Sequence, residues 1–244
     1  MIRLFVEAEL KLGVEITPSA EQGHYLASVM RLGNGDEIAL FNGRDGEWLA
    51  HLHLIGKKGC RLTCQTKLRD QPAASELVLI QALVKRKPLE TLIEKAVELG
   101  VGTVSLALTR RTNADHTNVS RLQAIAIEAS EQCERLDCPE IVAPEPLDRV
   151  LAKLPDATPV LFCDEQWQAP AIRAPLQSLE GIATGPAAIL IGPEGGFTPE
   201  ERDQLLARTQ VTPLWLGPRI LRADTAAIAA LTLYQAARGD WRRS

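Results

Sequence analysis

From Leu77 onward, short apolar runs alternate with longer segments of helical periodicity, and this alternation admits few folds. Leu77 to Val84 reads as a buried strand. Pro88 then falls where the first turn of a helix tolerates a missing N–H. Leu89, Leu92, Ile93, Ala96 and Val97 keep the i, i+3, i+4 spacing until Gly100 supplies a stop. The pattern repeats as a strand at Thr103 to Leu108, a helix from about Ser120 to Leu136, and strands at Val160 to Cys163 and Ala187 to Ile191. A helix at Thr198 to Arg208, a strand at Pro213 to Leu216 and a helix at Asp224 to Arg238 complete it. Strands separated by helices build a largely parallel sheet with helices on both faces, so the class is α/β.

Residues 2 to 66 have another texture. Apolar runs at Leu4 to Val6, Glu37 to Phe41, Trp48 to Ile55 and Cys60 to Thr66 are separated by Gly and Asn turns, which predicts a small β-barrel. Ser19 and Gln22 have capping-box spacing for one helix, with Leu26, Val29 and Met30 as its apolar stripe and Gly33 as its end. Asn42 to Gly46 reads as a hairpin loop. The polar stretch Lys67 to Ser75, with Pro72 inside it, separates the two textures, giving domains at 1–70 and 71–244.

Composition narrows the function classes. A chain of 244 residues, 45% hydrophobic and 24% charged, can fill two modest cores and has no disorder-like bias. No stretch approaches the roughly 18 apolar residues of a membrane helix, and MIRLFVEAEL lacks the apolar core of a signal peptide, so a cytoplasmic protein without membrane contact is expected. Five cysteines in no dense framework suit reduced thiols. Cys60 and Cys64, with His51 and His53 nearby, lack the second closely spaced pair of a structural zinc site and read as core thiols, so no metal is expected. A net charge of −4 argues against nucleic-acid binding by bulk charge. Any RNA contact must be local, at Lys85 to Lys87, at Arg110 and Arg111, or around Arg219 and Arg222.

Two segments carry the chemistry. Ile189 to Glu201 runs from a buried strand through Gly192-Pro193-Glu194-Gly195-Gly196 into a helix that Thr198 caps, with Pro199 at its first position and Glu201 completing a capping box. The glycines let backbone approach a ligand. Neither G-x-G-x-x-G nor G-x-x-x-x-G-K-[ST] occurs, which removes the usual phosphate cradles. The second segment, Leu214 to Ala226, is a strand, a Gly217-Pro218 break, Arg219 and Arg222, then an alanine-rich helix. Ile220 and Leu221 inside so short a loop predict a packed loop whose N–H and C=O groups suit an uncharged ring edge.

These phrases, Ile191 to Phe197 and Leu216 to Ala226, resemble the two cofactor loops of the 16S ribosomal RNA uridine-N3 methyltransferases of the SPOUT superfamily. Lys95 to Val101, Glu128 to Arg135, His24-Tyr25-Leu26 and Val29-Met30-Arg31 match as well, so the resemblance covers nearly the whole chain. Asp224 stands where the family more often has glutamate, and Pro88 where a polar or basic residue is expected.

The resemblance implies a knotted parallel-sheet SPOUT methyltransferase domain preceded by a PUA-like barrel that positions RNA, and a homodimer. It implies S-adenosylmethionine as cofactor, 16S ribosomal RNA of the small subunit as partner, and N3 of a uridine in the decoding region as target. By the same token, Cys163, Asp164, Gly192, Pro193, Glu194, Gly195, Gly196, Leu216, Gly217, Ile220, Leu221, Thr225 and Ala226 would hold the cofactor. Arg222 and Glu194 would serve the chemistry, with Glu128, Glu131, Asp224 and water as the other candidates to take the N3 proton. Arg3, His24, Arg31, Lys85, Arg86, Arg110, Arg111, Gln132 and Arg135 would meet RNA. An RNA-binding protein that has lost catalysis, or a SPOUT enzyme acting on transfer RNA or on ribose, are the competing readings.

Overall fold

The computed structural model describes residues 1–55, 59–113, 117–165, 179 and 185–242. Two compact units result, one of Met1–Ala74 with Ser130–Cys138, the other of Ser75–Ala129 with Pro139–Ser244.

The first unit is a five-stranded sheet of β1 (Ile2–Phe5), β2 (Glu15–Ile16), β3 (Glu37–Phe41), β4 (Glu47–Ile55) and β5 (Gly59–Arg69), in the order β1-β3-β4-β5-β2. β1 runs parallel to β3, and the other pairs are antiparallel. Alternate residues of all five strands, with Leu26, share one core that includes the thiols of Cys60 and Cys64. Desolvation raises both thiol pKa values, so the two behave as apolar side chains. Asn42 builds the β3–β4 turn: its Oδ1 accepts the N–H groups of Arg44 and Asp45, while its amide donates to Ala8 and Asp45. Gly46, at φ +84°, closes that turn where a Cβ would strike the Arg69 carbonyl.

The helix at Ser19 is shorter than its apolar spacing predicts. The capping box is present and starts α1 (Ala20–His24), but the chain then widens into a π-turn at Tyr25–Val29 and leaves helix at Arg31, φ +56°, before Gly33. Of the expected stripe only Leu26 is buried, and Val29 and Met30 face solvent.

A charged cluster ties Ser130–Cys138 to this sheet. Arg3, 8% exposed, donates from Nε to Glu47 at 2.7 Å, and from its Nη groups to the carbonyls of Ser130, Glu131 and Arg135, while its guanidinium lies 4.6 Å from the Phe41 ring centre. Glu47, 7% exposed, also accepts two bonds from Arg69. Burial alone would raise the Glu47 pKa, but the hydrogen bonds and charges of Arg69 and Arg3 outweigh it and hold the carboxyl below its ordinary range.

The second unit is a six-stranded, wholly parallel sheet of β6 (Leu77–Ala82), β7 (Thr103–Leu108), β8 (Glu140–Pro146), β9 (Val160–Cys163), β10 (Ala187–Ile191) and β11 (Val211–Leu214), in the order β11-β9-β10-β6-β7-β8. Its helices are α2 (Arg86–Glu98), α3 (Val119–Gln132), α4 (Leu147–Ala152), α5 (Pro199–Leu206) and α6 (Ala223–Ala237). Leu89, Leu92, Ile93, Ala96 and Val97 are all buried on α2, as their spacing requires. α3 stops at Gln132, short of Leu136, because Glu134 takes φ +64°. β8 and α4 have no counterpart in the periodicity reading. Pro144 and Pro146 mask the strand signal, and β8 tolerates them because it is the sheet edge.

Removing Glu47 leaves the buried Arg3 charge without its carboxylate, and also takes the partner of Arg69. We therefore expect Glu47→Ala to lower stability by about 3 to 5 kcal/mol in chemical denaturation. Because the folded-state pKa lies below 4.5, the contribution is complete above that pH and is lost as pH falls through the folded value. A variant that unfolds at the wild-type denaturant concentration and pH would show the cluster to be idle.

Candidate cofactor site

Parallel register sets the position of the site. Leu190 pairs with Phe162, and Leu214 with Cys163, so β9, β10 and β11 end side by side at their carboxyl edges. Loops leaving that edge surround a cavity, the usual place for a ligand in a parallel α/β sheet. It encloses about 930 Å³ of empty space, open mouth included. Cys163, Asp164 and Glu165 form one wall, Ile191 to Glu194 with Gly196 and Phe197 a second, and Leu214 to Leu221 with Ala223 and Ala226 a third; Arg202 completes it.

Local chemistry fixes each wall. The Thr198 hydroxyl accepts the Glu201 N–H at 3.2 Å, and the Glu201 carboxylate accepts the N–H groups of Thr198 and Arg110. Phe197 stacks edge-on against Phe162 at 5.1 Å and passes so close to Gly192 that a Cβ there would lie 2.7 Å from its ring. The Arg111 guanidinium holds the Gly195 carbonyl at 3.0 Å. Gly217, at φ +105°, turns the third wall with open space around it, so its glycine serves backbone conformation. Burial pushes the Cys163 thiol pKa up, so the first wall presents a neutral thiol beside its two carboxylates.

Ten of the thirteen residues expected at the cofactor stand together in these walls: Cys163, Asp164, Gly192, Pro193, Glu194, Gly196, Leu216, Gly217, Leu221 and Ala226, with Ile220 an eleventh at the mouth. Gly195 and Thr225 do not. A Cβ on Gly195 would meet Arg111 instead of the cavity, and Thr225 is exposed on the first turn of α6. Packing of Ile220 is also overturned, since it is 83% exposed. Arg222, at the cap of α6 between two wall residues, has an exposed side chain with no ion-pair partner among the described residues. Asp224 turns to the N–H and hydroxyl of Thr225. Glu165 and Arg202 join the walls from outside the segments that the sequence ties to the cofactor, while Phe197 and Trp215 join from within them. Arg202 had no signal in the sequence, because a single charge on a helix reads as solvated surface.

The residues expected at RNA separate into two groups. His24, Arg31, Lys85 and Gln132 are exposed. Arg3 is consumed by Glu47 and three carbonyls, and Arg135 by Asp137 at 3.0 Å, so neither offers its charge to a ligand as it stands. Arg86 bonds Glu90, whose pKa the hydrogen bonds of Arg121 and Arg86 lower to about 2. Arg110 lies 3.9 Å from Glu200. No described helix is long and apolar enough to cross a membrane, and no described group of His, Cys, Asp and Glu is arranged for a metal.

Residues 71–235 match the model of an RNA methyltransferase domain, and residues 18–63 that of an RNA methyltransferase PUA domain. The chain belongs to this RNA methyltransferase family. It is 32% identical to ribosomal RNA small subunit methyltransferase E of Rickettsia conorii, over 94% of this chain and 93% of that one. A Legionella pneumophila protein solved with bound S-adenosylmethionine has a TM-score of 0.85 and 30% identity, over 98% of both chains. The methyltransferase E of Neisseria gonorrhoeae, also bound to S-adenosylmethionine, has a TM-score of 0.86 and 25% identity, over 99% of this chain and 100% of that one. The amino-terminal unit is thus PUA-like, and the parallel-sheet unit is a SPOUT methyltransferase domain.

The glycine positions give a sharp test in calorimetric titration with S-adenosylmethionine. Gly195→Ala, whose Cβ finds ordinary contact with Arg111 at 3.4 Å, should bind as the wild type does. Gly217→Val should weaken binding at least tenfold, since a β-branched residue at φ +105° distorts the third wall. Equal affinity of the two variants would contradict this division.

Proposed function

We propose that this protein transfers a methyl group from S-adenosylmethionine to N3 of a uridine in the decoding region of 16S ribosomal RNA, acting in the cytoplasm as a homodimer on the small subunit. The carrying observation is the backbone-lined cavity at the carboxyl ends of β9, β10 and β11, with Arg222, which has no ion-pair partner among the described residues, between the wall residues Leu221 and Ala223. The donor set fits the cofactor. Peptide groups of Leu216 to Leu221 suit an uncharged adenine edge, and acidic Asp164, Glu165 and Glu194 suit a cationic sulfonium and ammonium. The bound cofactor supplies an electrophilic methyl group.

The chain must supply the rest. Uridine N3 carries a proton at neutral pH, and loss of that proton spreads negative charge onto O2 and O4. A guanidinium fixed near one of those oxygens stabilises that charge where water is excluded, by about 3 kcal/mol for one well-placed donor. Arg222 has the free charge for this task, and arginine stays protonated, so it cannot be the base. Among carboxylates of the matched motifs, Glu128 is exposed on α3 and is not in the cavity walls, Glu131 accepts the Phe5 N–H and Asp224 is engaged with Thr225, whereas Glu194 borders the cavity. Glu194 is the best-placed proton acceptor. Arg31, His24, Lys85 and Gln132 are exposed, as are Arg86, Arg110 and Arg111 with their surface partners, and these groups would meet RNA.

Purified small subunits and methyl-labelled S-adenosylmethionine test this reading. Label should enter uridine N3, and Arg222→Lys, which keeps charge but loses the planar fork, should slow transfer roughly a hundredfold. Cofactor affinity and melting temperature should barely change. Labelled transfer RNA or ribose in place of the base would favour another SPOUT activity, and RNA binding with no transfer would make the protein a binding module.

A further inference from the structure

The cavity wall contains one largely buried charged pair, Asp164 with Arg202, whose cationic member the reading above leaves without a role. Arg202, on α5, donates from Nε to Asp164 Oδ2 at 2.8 Å. The Arg202 side chain is 18% exposed and that of Asp164 is 5% exposed, and both residues line the cavity. A guanidinium carries five N–H donors, of which this bond uses one. Both Nη groups of Arg202 lack a partner among the described residues. Both Nη groups keep contact with solvent in the wall of the cavity, so a ligand that enters it can take the water's place as their acceptor.

The shape of the missing acceptor follows. Asp164 already occupies the Nε side, which fixes the guanidinium plane and offsets its charge. The two Nη groups then offer a flat fork that matches a carboxylate. An adenine ring has no anionic edge, and the walls hold no glycine-rich phosphate cradle.

We propose that Arg202 binds the α-carboxylate of the methionine end of S-adenosylmethionine, and that Asp164 is the positioning residue that aims it. The inference rests on the cavity being the cofactor site. It divides the site into a backbone-lined part for the nucleoside and a charged end, Arg202 with Asp164, for the amino-acid tail. Discrimination between ligands with and without that carboxylate then belongs to one side chain.

Calorimetric titration of wild-type protein and Arg202→Met with S-adenosylmethionine and with decarboxylated S-adenosylmethionine tests it. The second ligand lacks only the carboxylate. Wild type should prefer S-adenosylmethionine, and Arg202→Met should lose about tenfold to a hundredfold in affinity for it while binding the decarboxylated ligand within about threefold of wild type. Loss of Arg202 takes a cationic partner from the buried Asp164 carboxylate, which can destabilise the variant. Arg202→Met combined with Asp164→Asn removes that charge and should show the same split, with melting temperature recorded for both proteins. Equal weakening for both ligands, or none for either, overturns the Arg202 assignment while the cofactor site stands. Wild-type protein that binds neither ligand overturns the cavity reading, and this inference with it.

Discussion

The parallel ladder that joins β11, β9 and β10 is the constraint on which the rest of the catalytic unit depends. Ile189 opposite Leu161, and Thr212 likewise, hold three strand ends level, so three separate loops meet at one edge. No loop could make the cavity alone. Parallel strands are buried on both faces, and all five residues of β10 are buried. A one-residue slip would turn each strand's side chains to the opposite face and pull its loop about 3.3 Å out of line. Position therefore comes from apolar packing, while recognition comes from the polar backbone that packing delivers.

Rigidity around the loops has separate sources. Glu201 caps its own helix and receives Arg110, Arg111 clamps Gly195, and Phe197 wedges between Phe162 and Gly192. Each contact restrains the second wall from outside, leaving its inner face to a ligand. Such restraint lowers the ordering cost of binding, which is how a preformed pocket gains affinity. In the first unit the same economy appears as the Arg3–Glu47–Arg69 cluster, where an ion network secures the Ser130–Cys138 segment.

Much of this architecture was legible in the chain because it rests on short-range rules. β3 (Glu37–Phe41) and β7 (Thr103–Leu108) coincide with their apolar runs, and both capping boxes form. Leu89 to Val97 bury their stripe. Local rules failed where tertiary context decides. Pro144 and Pro146 hid β8 because nothing in the sequence says that a strand will be an edge. Ile220 was expected to be packed, because an apolar residue carries no record of what stands beside it. Arg3 and Arg135 looked like RNA contacts because the sequence shows charge but not its partner, and Glu47 and Asp137 are distant or unremarkable in the chain. Arg202 was missed for the opposite reason: Asp164 lies 38 positions away. The cofactor loops were found because glycine, proline and cap residues carry their backbone requirements within a few positions.

If this cavity serves methylation of N3 in a uridine of small-subunit RNA, as proposed, the modified nucleosides of that RNA carry the record. Small-subunit RNA from cells lacking the protein, and from cells in which it is restored, would be digested and mapped by mass spectrometry. N3-methyluridine in the decoding region should disappear with the protein, return with the wild type, and fail to return with Arg222→Lys expressed at the same level. N3-methyluridine at full level in cells without the protein would contradict the proposal.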